Sequence, residues 1–440
     1  MSGPDAVRER VAAAKAAART LAGLPTESKD RALRSAAGRI EAESAAILEA
    51  NGADVAEARA AVQAGTLARP LLDRLVLDAG KVRAMADGVR AVAALPDPSG
   101  RLLSKTLLDE GLVLEKVSCP LGVLAVVFES RPDAVPQIGA LALKSGNAAL
   151  LKGGRESARS AAAILSAIRA GLAEVPEIPA DALQLLSTRE EVEALLSLES
   201  EIDLVIPRGG ADLVRFVRDH TRIPVLGHAE GVCHVYVDRA ADPEKAIAIA
   251  VDGKTTYPAA CNAAETLLLH SEAAARLLRP LVAALREKGV EIRACEKTRA
   301  LVPDLGLAAA ADDDFGREFG ALVLAVKTVE SLDEAIGHVN RFGSKHTDAI
   351  VTEDRAAADR FLAEVDAAGV FVNASTRFAD GFRYGFGAEA GVSTSKLHAR
   401  GPVGLEGLVT YKYRLFGEGH VTATYTGKGA RAFRHLRLDP

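Results

Sequence analysis

Cys261 lies in a segment of small residues. It follows the run Tyr-Pro-Ala-Ala at 257–260, and an apolar stretch begins just after it, near Glu265. Small neighbours leave room for a substrate to reach the sulfur, and a thiol on a loop becomes nucleophilic where a nearby positive charge lowers its pKa. The same pattern suits a buried structural thiol. Spacing alone therefore leaves both interpretations open.

The other cysteines, Cys119, Cys233 and Cys295, are widely spaced and form no C-x-x-C pair. Cys233 is followed by His234, but adjacent residues of a strand point to opposite faces, so these two side chains are not expected to pair. We predict structural roles for all three cysteines. Four cysteines in 440 residues favour a reducing, cytoplasmic setting over a disulfide framework.

Two glycine-containing turns are candidates for binding a nucleotide. No G-x-G-x-x-G or G-x-x-x-x-G-K-S fingerprint is present, but Lys-Gly-Gly-Arg at 152–155 and Pro-Arg-Gly-Gly at 207–210 each follow an apolar run. Either alone is typical of a plain turn. Two such turns at strand ends of one sheet favour a nucleotide site. The histidines show no metal-ligand spacing, and the sequence predicts no metal.

The elements that must position these residues follow from the hydrophobic pattern. The first hundred residues are helical in pattern, including one segment at 32–59, and residues 101–118 resemble a hairpin arm. From residue 121 apolar runs such as 123–128 alternate with helical segments, and a second alternating region begins near residue 235. This alternation predicts α/β domains with parallel sheets. Residues 421–424 alternate as a strand, and a late strand returning to the hairpin suggests a sheet shared between subunits.

Composition excludes several classes of function. The formal net charge is -5 and Trp is absent, so no basic surface for nucleic acid is indicated. No run approaches the roughly 18 apolar residues of a membrane span. The length predicts two or three domains.

The ordered motifs together resemble one family. They are residues 120–123, 128–132, 144–148, 207–210, 231–238, 257–268, 372–378 and 393–402. In this order, and over nearly the whole chain, they are similar to the γ-glutamyl phosphate reductases of the aldehyde dehydrogenase superfamily. That resemblance implies that Cys261 is the nucleophile and not a structural thiol, a choice that spacing alone left open.

The resemblance implies an α/β fold of the aldehyde dehydrogenase type: two doubly wound α/β domains, nucleotide-binding and catalytic, with a small β oligomerisation element. The expected cofactor-binding domain comprises 1–100 and 119–230, and the catalytic domain 231–375. The oligomerisation element comprises 101–118 and 400–440, and 376–399 returns near the active site. A homo-oligomer is expected, and association with glutamate 5-kinase is left open by the sequence.

The resemblance also implies how an oxyanion would be held. The backbone N–H of Cys261 is one donor, and Asn262, Ser130 and Asn147 are the candidates for a side-chain donor. Ser130 stands where the wider superfamily has an asparagine, so the side-chain donor is left open among the three.

For the cofactor, the resemblance places Lys152 on the adenosine ribose and Glu318 near the nicotinamide ribose. The turn at Arg208, with Gly209 and Gly210, would approach the pyrophosphate. Many NAD-using relatives hold a glutamate three residues after the lysine, where this chain has Arg155. A cation there attracts a 2′-phosphate, so NADPH is predicted.

The implied reaction is NADPH-dependent reduction of L-glutamyl 5-phosphate to L-glutamate 5-semialdehyde in proline biosynthesis. Arg131, Arg377 and Arg400 are expected to bind the phosphate and α-carboxylate, since guanidinium forks suit both groups. Hydrolytic relatives carry a water-activating glutamate as the first residue of a Glu-Leu-Gly-Gly stretch. The corresponding segment of this chain, 226–232, reads Leu-Gly-His-Ala-Glu-Gly-Val, and it has no glutamate in that pattern. Its absence favours reduction over the first alternative, a hydrolytic aldehyde dehydrogenase of other specificity. The intact Cys261 segment argues against the second alternative, a non-catalytic paralogue acting as a scaffold.

Overall fold

Two parallel sheets, each with a hydrophobic core on both faces, make up most of the fold. A computed structural model describes residues 4–228 and 230–439. Its α-helices are α1 (Pro4–Leu21), α2 (Thr26–Ala42), α3 (Ser44–Gln63), α4 (Arg69–Leu75), α5 (Ala79–Ala94), α6 (Ala134–Lys144), α7 (Ala158–Leu172), α8 (Arg189–Leu196), α9 (Ala211–Asp219), α10 (Pro243–Thr255), α11 (Ser271–Glu287), α12 (Glu296–Leu301), α13 (Leu332–Phe342) and α14 (Arg355–Glu364).

The strands follow the alternation that the sequence predicts. They are β1 (Leu102–Asp109), β2 (Leu112–Pro120), β3 (Val123–Phe128), β4 (Ala148–Lys152), β5 (Leu183–Leu185), β6 (Leu204–Arg208), β7 (Cys233–Val237), β8 (Ala264–His270), β9 (Glu291–Ala294), β10 (Ala308–Ala309), β11 (Val323–Val329), β12 (Thr347–Val351), β13 (Gly369–Val372), β14 (Gly391–Ser393), β15 (Gly401–Val403), β16 (Val409–Phe416) and β17 (Leu436–Leu438).

The first sheet has the order β5-β4-β3-β6, and all its pairs are parallel. Along β3, Leu124 and Val126 pack into the core that α2, α5, α6 and α7 cover, whereas Val123 and Ala125 pack into the core on the opposite face. The whole strand is buried. A continuous apolar run is what a strand covered on both faces needs, and the doubly wound α/β fold predicted for this region is confirmed.

The second sheet has the order β10-β9-β11-β8-β7-β12-β13, again with parallel pairs. Every residue of β8 is buried, and the strand lies between β11 and β7 at the centre of the sheet. The turn that carries Cys261 leads into this rigid strand, which fixes its position.

The helical segment expected at 32–59 is two helices. Helix α2 ends at Ala42 and α3 begins at Ser44, and Glu43 between them leaves the helical conformation with φ -95° and ψ 14°. The apolar spacing continues across this break, which is why periodicity alone did not reveal it.

A separate antiparallel sheet forms an arm with the order β16-β2-β1-β17. The hairpin expected at 101–118 is β1 and β2, and the late strand that returns to it is β16, which pairs with β2 over its full length. The prediction of a strand at 421–424 is wrong, because Thr422–Tyr425 is a short 3₁₀ helix. The Tyr425 hydroxyl donates to the buried Asp109 carboxylate at 3.0 Å, which folds this segment back onto the hairpin.

Within the described residues, no helix is long and apolar enough to cross a membrane.

Candidate active site

Cys261 lies in a tight turn between α10 and β8. The turn is closed by backbone hydrogen bonds, including one from the Ala263 N–H to the Ala260 carbonyl at 2.8 Å. The thiol is half-buried and forms no disulfide. It lines a cavity of about 370 Å³ together with Ala259 and Ala260, so the small neighbours do leave space at the sulfur.

Gly231 supports the turn from behind. A Cβ at this position would lie 2.1 Å from the Cys261 carbonyl oxygen and 2.5 Å from its Cα. No side chain fits there, so the two backbones are in direct contact and Gly231 fixes where the Cys261 turn lies.

The other cysteines occupy structural positions. The fully buried Cys233 thiol donates to the Cys261 carbonyl at 3.3 Å, and burial raises its pKa well above the usual range. His234 points to the opposite face of β7 and pairs with Asp348, as the alternation of strand side chains predicts. Cys295 follows β9 and caps α12, accepting from the Thr298 N–H.

Of the three candidate side-chain oxyanion donors, only Asn262 lines the cavity. Its amide nitrogen donates to the Ala379 carbonyl at 2.8 Å. The structure does not bring Asn147 to the site, because its amide accepts from the Gly122 N–H and donates to Ser145 and to the Leu408 carbonyl. It ties β4 to the end of the chain instead.

Ser130 is also committed elsewhere. Its hydroxyl and its backbone N–H both donate to the Glu156 carboxylate, at 2.6 and 2.8 Å, and its φ of 39° places it in the left-handed region. It lines neither the Cys261 cavity nor its neighbour. The expectation that Ser130 or Asn147 donates to the oxyanion is therefore not supported by the geometry.

Two of the three predicted substrate arginines, Arg131 and Arg377, line the Cys261 cavity. Neither guanidinium has a hydrogen-bond acceptor or ion-pair partner among the described residues, and burial lowers the pKa of both. Arg74, which no pattern in the sequence singled out, lines the same cavity. Buried charges without partners are costly unless a ligand supplies the counter-charge, so this cavity is suited to an anion.

Arg208 lines the cavity as well, but it is held by Glu389, whose carbonyl and carboxylate accept from it. Arg400 does not reach the cavity. Its guanidinium donates to the Asp366 carboxylate at 2.8 Å, and together with Lys345 and Lys396 it holds the pKa of that carboxyl well below its usual value. In this structure Arg400 is therefore paired with Asp366 and lies outside the Cys261 cavity.

A second cavity, of about 440 Å³, lies beside the first and shares Glu129 with it. Lys152 and Arg155 line it, together with apolar side chains that include Val127 and Phe216. Burial lowers the pKa of Lys152, and Arg155 is exposed without a partner among the described residues. Apolar walls with two cations suit the base, ribose and phosphate of an adenine nucleotide.

Gly209 and Gly210 form the turn that begins α9. The Gly210 N–H donates to the Glu129 carboxylate at 2.9 Å, and a Cβ on Gly209 would lie 2.4 Å from the same carboxylate. A helix N-terminus and a close backbone approach fit a pyrophosphate. The Glu129 carboxylate now holds that place, so it must move aside when an anion binds there.

Glu318 lies at the Cys261 cavity, next to the loop that precedes β7. It lines the Cys261 cavity, and its carboxylate accepts from the Gly231 N–H at 2.8 Å. Through Gly231, the residue expected at the nicotinamide ribose is therefore connected to the Cys261 turn.

A fully buried ion pair underlies this connection. Lys254 Nζ lies 2.5 Å from the Glu265 carboxylate, and the other oxygen of Glu265 accepts from the Gly320 N–H at 3.3 Å. Burial raises the pKa of Glu265 to about 7 and lowers that of Lys254. The pair joins α10 and β8, which flank Cys261, to the loop that carries Glu318.

Two histidines far apart in sequence approach the cysteine. His228, Cys261 and His346 each place one potential ligand atom within 4.8 Å of the other two. His228 lines the cavity, and its Nδ1 lies 3.0 Å from the Val392 carbonyl. Sequence spacing could not reveal this cluster, since its members come from a loop, the turn before β8 and the residue before β12.

The sequence did not predict several further residues that line the Cys261 cavity. They are Arg74, Glu129, Tyr257, Asp380 and Glu389. Tyr257 had a signal, since it precedes Pro258 in the cysteine segment, and its ring lies under Arg377 with the guanidinium 5.9 Å from its centroid. The others come from helices or loops in which charged residues are ordinary.

Comparison with known proteins identifies the family of the chain. The model of the aldehyde dehydrogenase family matches residues 1–299. A γ-glutamyl phosphate reductase of Synechococcus sp. (strain JA-3-3Ab) is 58% identical over 426 residues, which cover 97% of this chain and 93% of the relative.

Solved structures of two relatives have the same fold as this chain. The crystal structure of a γ-glutamyl phosphate reductase from Thermotoga maritima superimposes with a TM-score of 0.90 at 41% identity, covering 94% of this chain and 99% of that one. An acetylating aldehyde dehydrogenase from Geobacillus thermoglucosidasius matches with a TM-score of 0.65 at 18% identity, covering 95% and 98%. The latter likeness concerns the fold alone.

Proposed function

Because the chain belongs to the aldehyde dehydrogenase family, and within it to the γ-glutamyl phosphate reductases, we propose that it reduces L-glutamyl 5-phosphate to L-glutamate 5-semialdehyde with NADPH and releases phosphate. The observation that carries this proposal is the meeting of an accessible thiol with partnerless arginines in one cavity. Cys261, Arg131 and Arg377 line that cavity, which adjoins a second one suited to a nucleotide. The reaction would serve proline biosynthesis.

In this mechanism the Cys261 thiolate attacks the acyl carbon and forms a thioester as phosphate leaves, which divides the reduction into two easier steps. Arg131 and Arg377 bind the phosphate and the α-carboxylate as charge-assisted forks. The Cys261 N–H, which has no acceptor among the described residues, and the Asn262 amide N–H that is not donated to Ala379 hold the oxyanion. The nicotinamide cofactor, when bound, supplies the hydride.

The cavity favours reduction over hydrolysis. Its carboxylates already accept hydrogen bonds from backbone N–H groups: Glu129 from Gly210, Glu318 from Gly231, Asp380 from Phe382 and Glu389 from Gly381. A carboxylate oxygen that accepts such a bond has one lone pair fewer with which to bind and orient an attacking water. This arrangement supports a thioester that survives until hydride reaches it.

The cofactor assignment rests on charge. Lys152 and Arg155 would bind the ribose side of NADPH, Arg155 taking the 2′-phosphate. Gly209 and Gly210 would face the pyrophosphate, and Glu318 the nicotinamide ribose. The structural reason is that Arg155 is exposed beside the nucleotide cavity with no carboxylate paired to it among the described residues, so its charge is available to a ligand.

The protein is proposed to act as a homo-oligomer through the arm formed by 101–118 and 400–440. Strand β16 is an edge of the arm, and every residue after Val409 in it is exposed, including Tyr411, Tyr413, Leu415 and Phe416. An exposed apolar edge strand is a liability in a monomer. A second copy pairing there would cover it.

The reverse reaction provides the test. L-glutamate 5-semialdehyde and NADP⁺ are supplied with and without phosphate, and NADPH formation is followed by absorbance. We expect sustained turnover only with phosphate and none in Cys261→Ser. The Cys295→Ser variant is the matched control, because that thiol lies outside the cavity.

Two results would contradict the proposal. Turnover that continues without phosphate would indicate a hydrolytic aldehyde dehydrogenase. No turnover in the unaltered protein under either condition would favour a non-catalytic scaffold.

A further inference from the structure

The proposed reaction needs a proton carrier beside Cys261, and the role of such a carrier rests on that proposed function. The thiol must lose a proton before it attacks, and the departing phosphate oxygen must gain one. The arginines of the cavity stay protonated at any working pH and cannot supply it. A group that exchanges protons within reach of both atoms is therefore required.

The geometry of His228 suits this task. Its Nδ1 lies 3.0 Å from the Val392 carbonyl, and since a carbonyl only accepts, Nδ1 carries the proton. In the neutral ring, Nε2 then holds the lone pair. Burial lowers the pKa of His228, and the neighbouring Arg208 acts in the same direction, so the ring is neutral and able to accept a proton near neutral pH.

The distance between the His228 ring and the Cys261 sulfur suits an oxygen atom that bridges the two. The potential ligand atoms of His228 and Cys261 lie within 4.8 Å of each other, a separation that a single oxygen atom between them can bridge. Two contacts of about 3 Å that meet at one oxygen span such a gap. That oxygen is a water before attack and the leaving phosphate oxygen during attack.

His346 holds the His228 ring in place. It is 1% exposed, its Nδ1 lies 2.9 Å from the Thr347 hydroxyl, and its Nε2 has no partner among the described residues. Its ring packs edge to face against His228, with centroids 4.9 Å apart and planes at 77°. Of the two histidines, only His228 lines the Cys261 cavity, so His346 is a positioning residue and His228 is the group that can meet the reacting atoms.

We infer that His228 takes the proton of the Cys261 thiol and gives it to the leaving phosphate. During acylation the S–C bond forms, the C–O bond breaks, and the proton passes from Nε2 to the departing oxygen. After hydride transfer the C–S bond breaks, the thiolate is regenerated, and His228 takes a proton from water. Each turnover thus consumes one solvent proton. In reverse, His228 removes the proton of hydrogen phosphate as it attacks the thioester.

The test uses the variants His228→Asn and His228→Gln. It measures the two halves of the reverse reaction, formation of the thioester and its discharge, one at a time. Protein is mixed with semialdehyde and NADP⁺ without phosphate, at about pH 9.5, where hydroxide in solution can remove the proton of an accessible thiol. A burst of NADPH reports thioester formation. The acylated protein is then desalted and discharged with phosphate or with hydroxylamine, which needs no prior loss of a proton, and the loss of adduct mass is followed.

We expect both variants to keep the burst and the hydroxylamine rate within about threefold, while the phosphate rate falls by about 10²–10⁴-fold, the usual contribution of general acid–base catalysis. His435→Asn is the matched control. It is exposed in the arm, and its φ of 47° suits asparagine.

The assignment of His228 would be overturned if phosphate discharged the acylated variants at a rate within about fivefold of that of the unaltered protein. It would also be overturned if the rate of discharge by hydroxylamine fell as much as the rate of discharge by phosphate. A burst that is lost in both variants would overturn it as well, because His228 would then act on the whole site. If the unaltered protein shows no burst, the proposed function itself fails.

Discussion

Gly231→Ala should disable the site without touching any group that performs chemistry. The added methyl would lie 2.1 Å from the Cys261 carbonyl oxygen, where ordinary contact begins at about 3.4 Å. The obstacle is backbone and cannot rotate away. The Cys261 turn or the loop that carries Gly231 must therefore shift by roughly 1 Å, a displacement that costs about 100-fold in rate at a reacting centre.

A 100-fold loss corresponds to about 2.7 kcal/mol of transition-state stabilisation. We expect that loss in kcat/KM for phosphate-dependent NADPH formation. Binding of NADP⁺, measured by calorimetry, should change much less, because Lys152 and Arg155 lie in the neighbouring cavity. Alkylation of Cys261 by iodoacetamide should also change in rate, since it reports the exposure of the thiol directly.

The matched control is Gly337→Ala in α13, where an added Cβ has nothing within 4 Å. It should retain full activity and gain up to about 1 kcal/mol in unfolding free energy from helix propensity. If Gly231→Ala keeps kcat/KM within about threefold of the unaltered protein, the contact between Gly231 and the Cys261 turn does not position the nucleophile, and the reasoning is refuted.

Three further changes test other parts of the molecule. Arg155→Glu should lower the preference for NADPH over NADH by at least 10-fold, as one charge-assisted pair contributes about 1.5–3 kcal/mol; an unchanged ratio of kcat/KM values would show that Arg155 does not face the 2′-phosphate. Glu265→Gln should lower the free energy of unfolding, measured with urea, by about 3–5 kcal/mol, because Lys254 stays buried without its counter-charge. The double variant Lys254→Met with Glu265→Leu should recover most of that free energy; an equal loss in the two variants would contradict this. Leu415→Asp should shift sedimentation toward a smaller species with the far-UV spectrum unchanged; an unaltered sedimentation coefficient would place the interface elsewhere.

Much of the architecture follows from local pattern. A run of six apolar residues in β3 has to be covered on both faces, and turns rich in glycine and proline separate it from the neighbouring helices. The Cys261 segment likewise carries its own signal, because small residues must surround a thiol that a substrate reaches.

Other features depend on partners that the pattern does not contain. Asn147 and Ser130 have the right chemistry for an oxyanion donor, but their hydrogen bonds to Leu408 and Glu156 bridge distant parts of the chain. His346 reaches Cys261 only because β12 lies beside β7 in the sheet. Such contacts follow from tertiary packing, which a single sequence leaves open.

The strand expected at 421–424 failed for a similar reason. Its alternation is real, but strand β16 already pairs with β2 and takes that place in the sheet. A period of two predicts a strand only where a partner strand is available, and the burial of Asp109 against Tyr425 favours a turn there.

The most direct test of the central claim is the mass of the protein after incubation with L-glutamate 5-semialdehyde and NADP⁺ in the absence of phosphate. We predict a stable acyl adduct on the peptide that contains Cys261, formed together with an equivalent of NADPH and removed when phosphate is added. An adduct on another residue, or one that water removes as fast as phosphate does, would contradict the proposed mechanism.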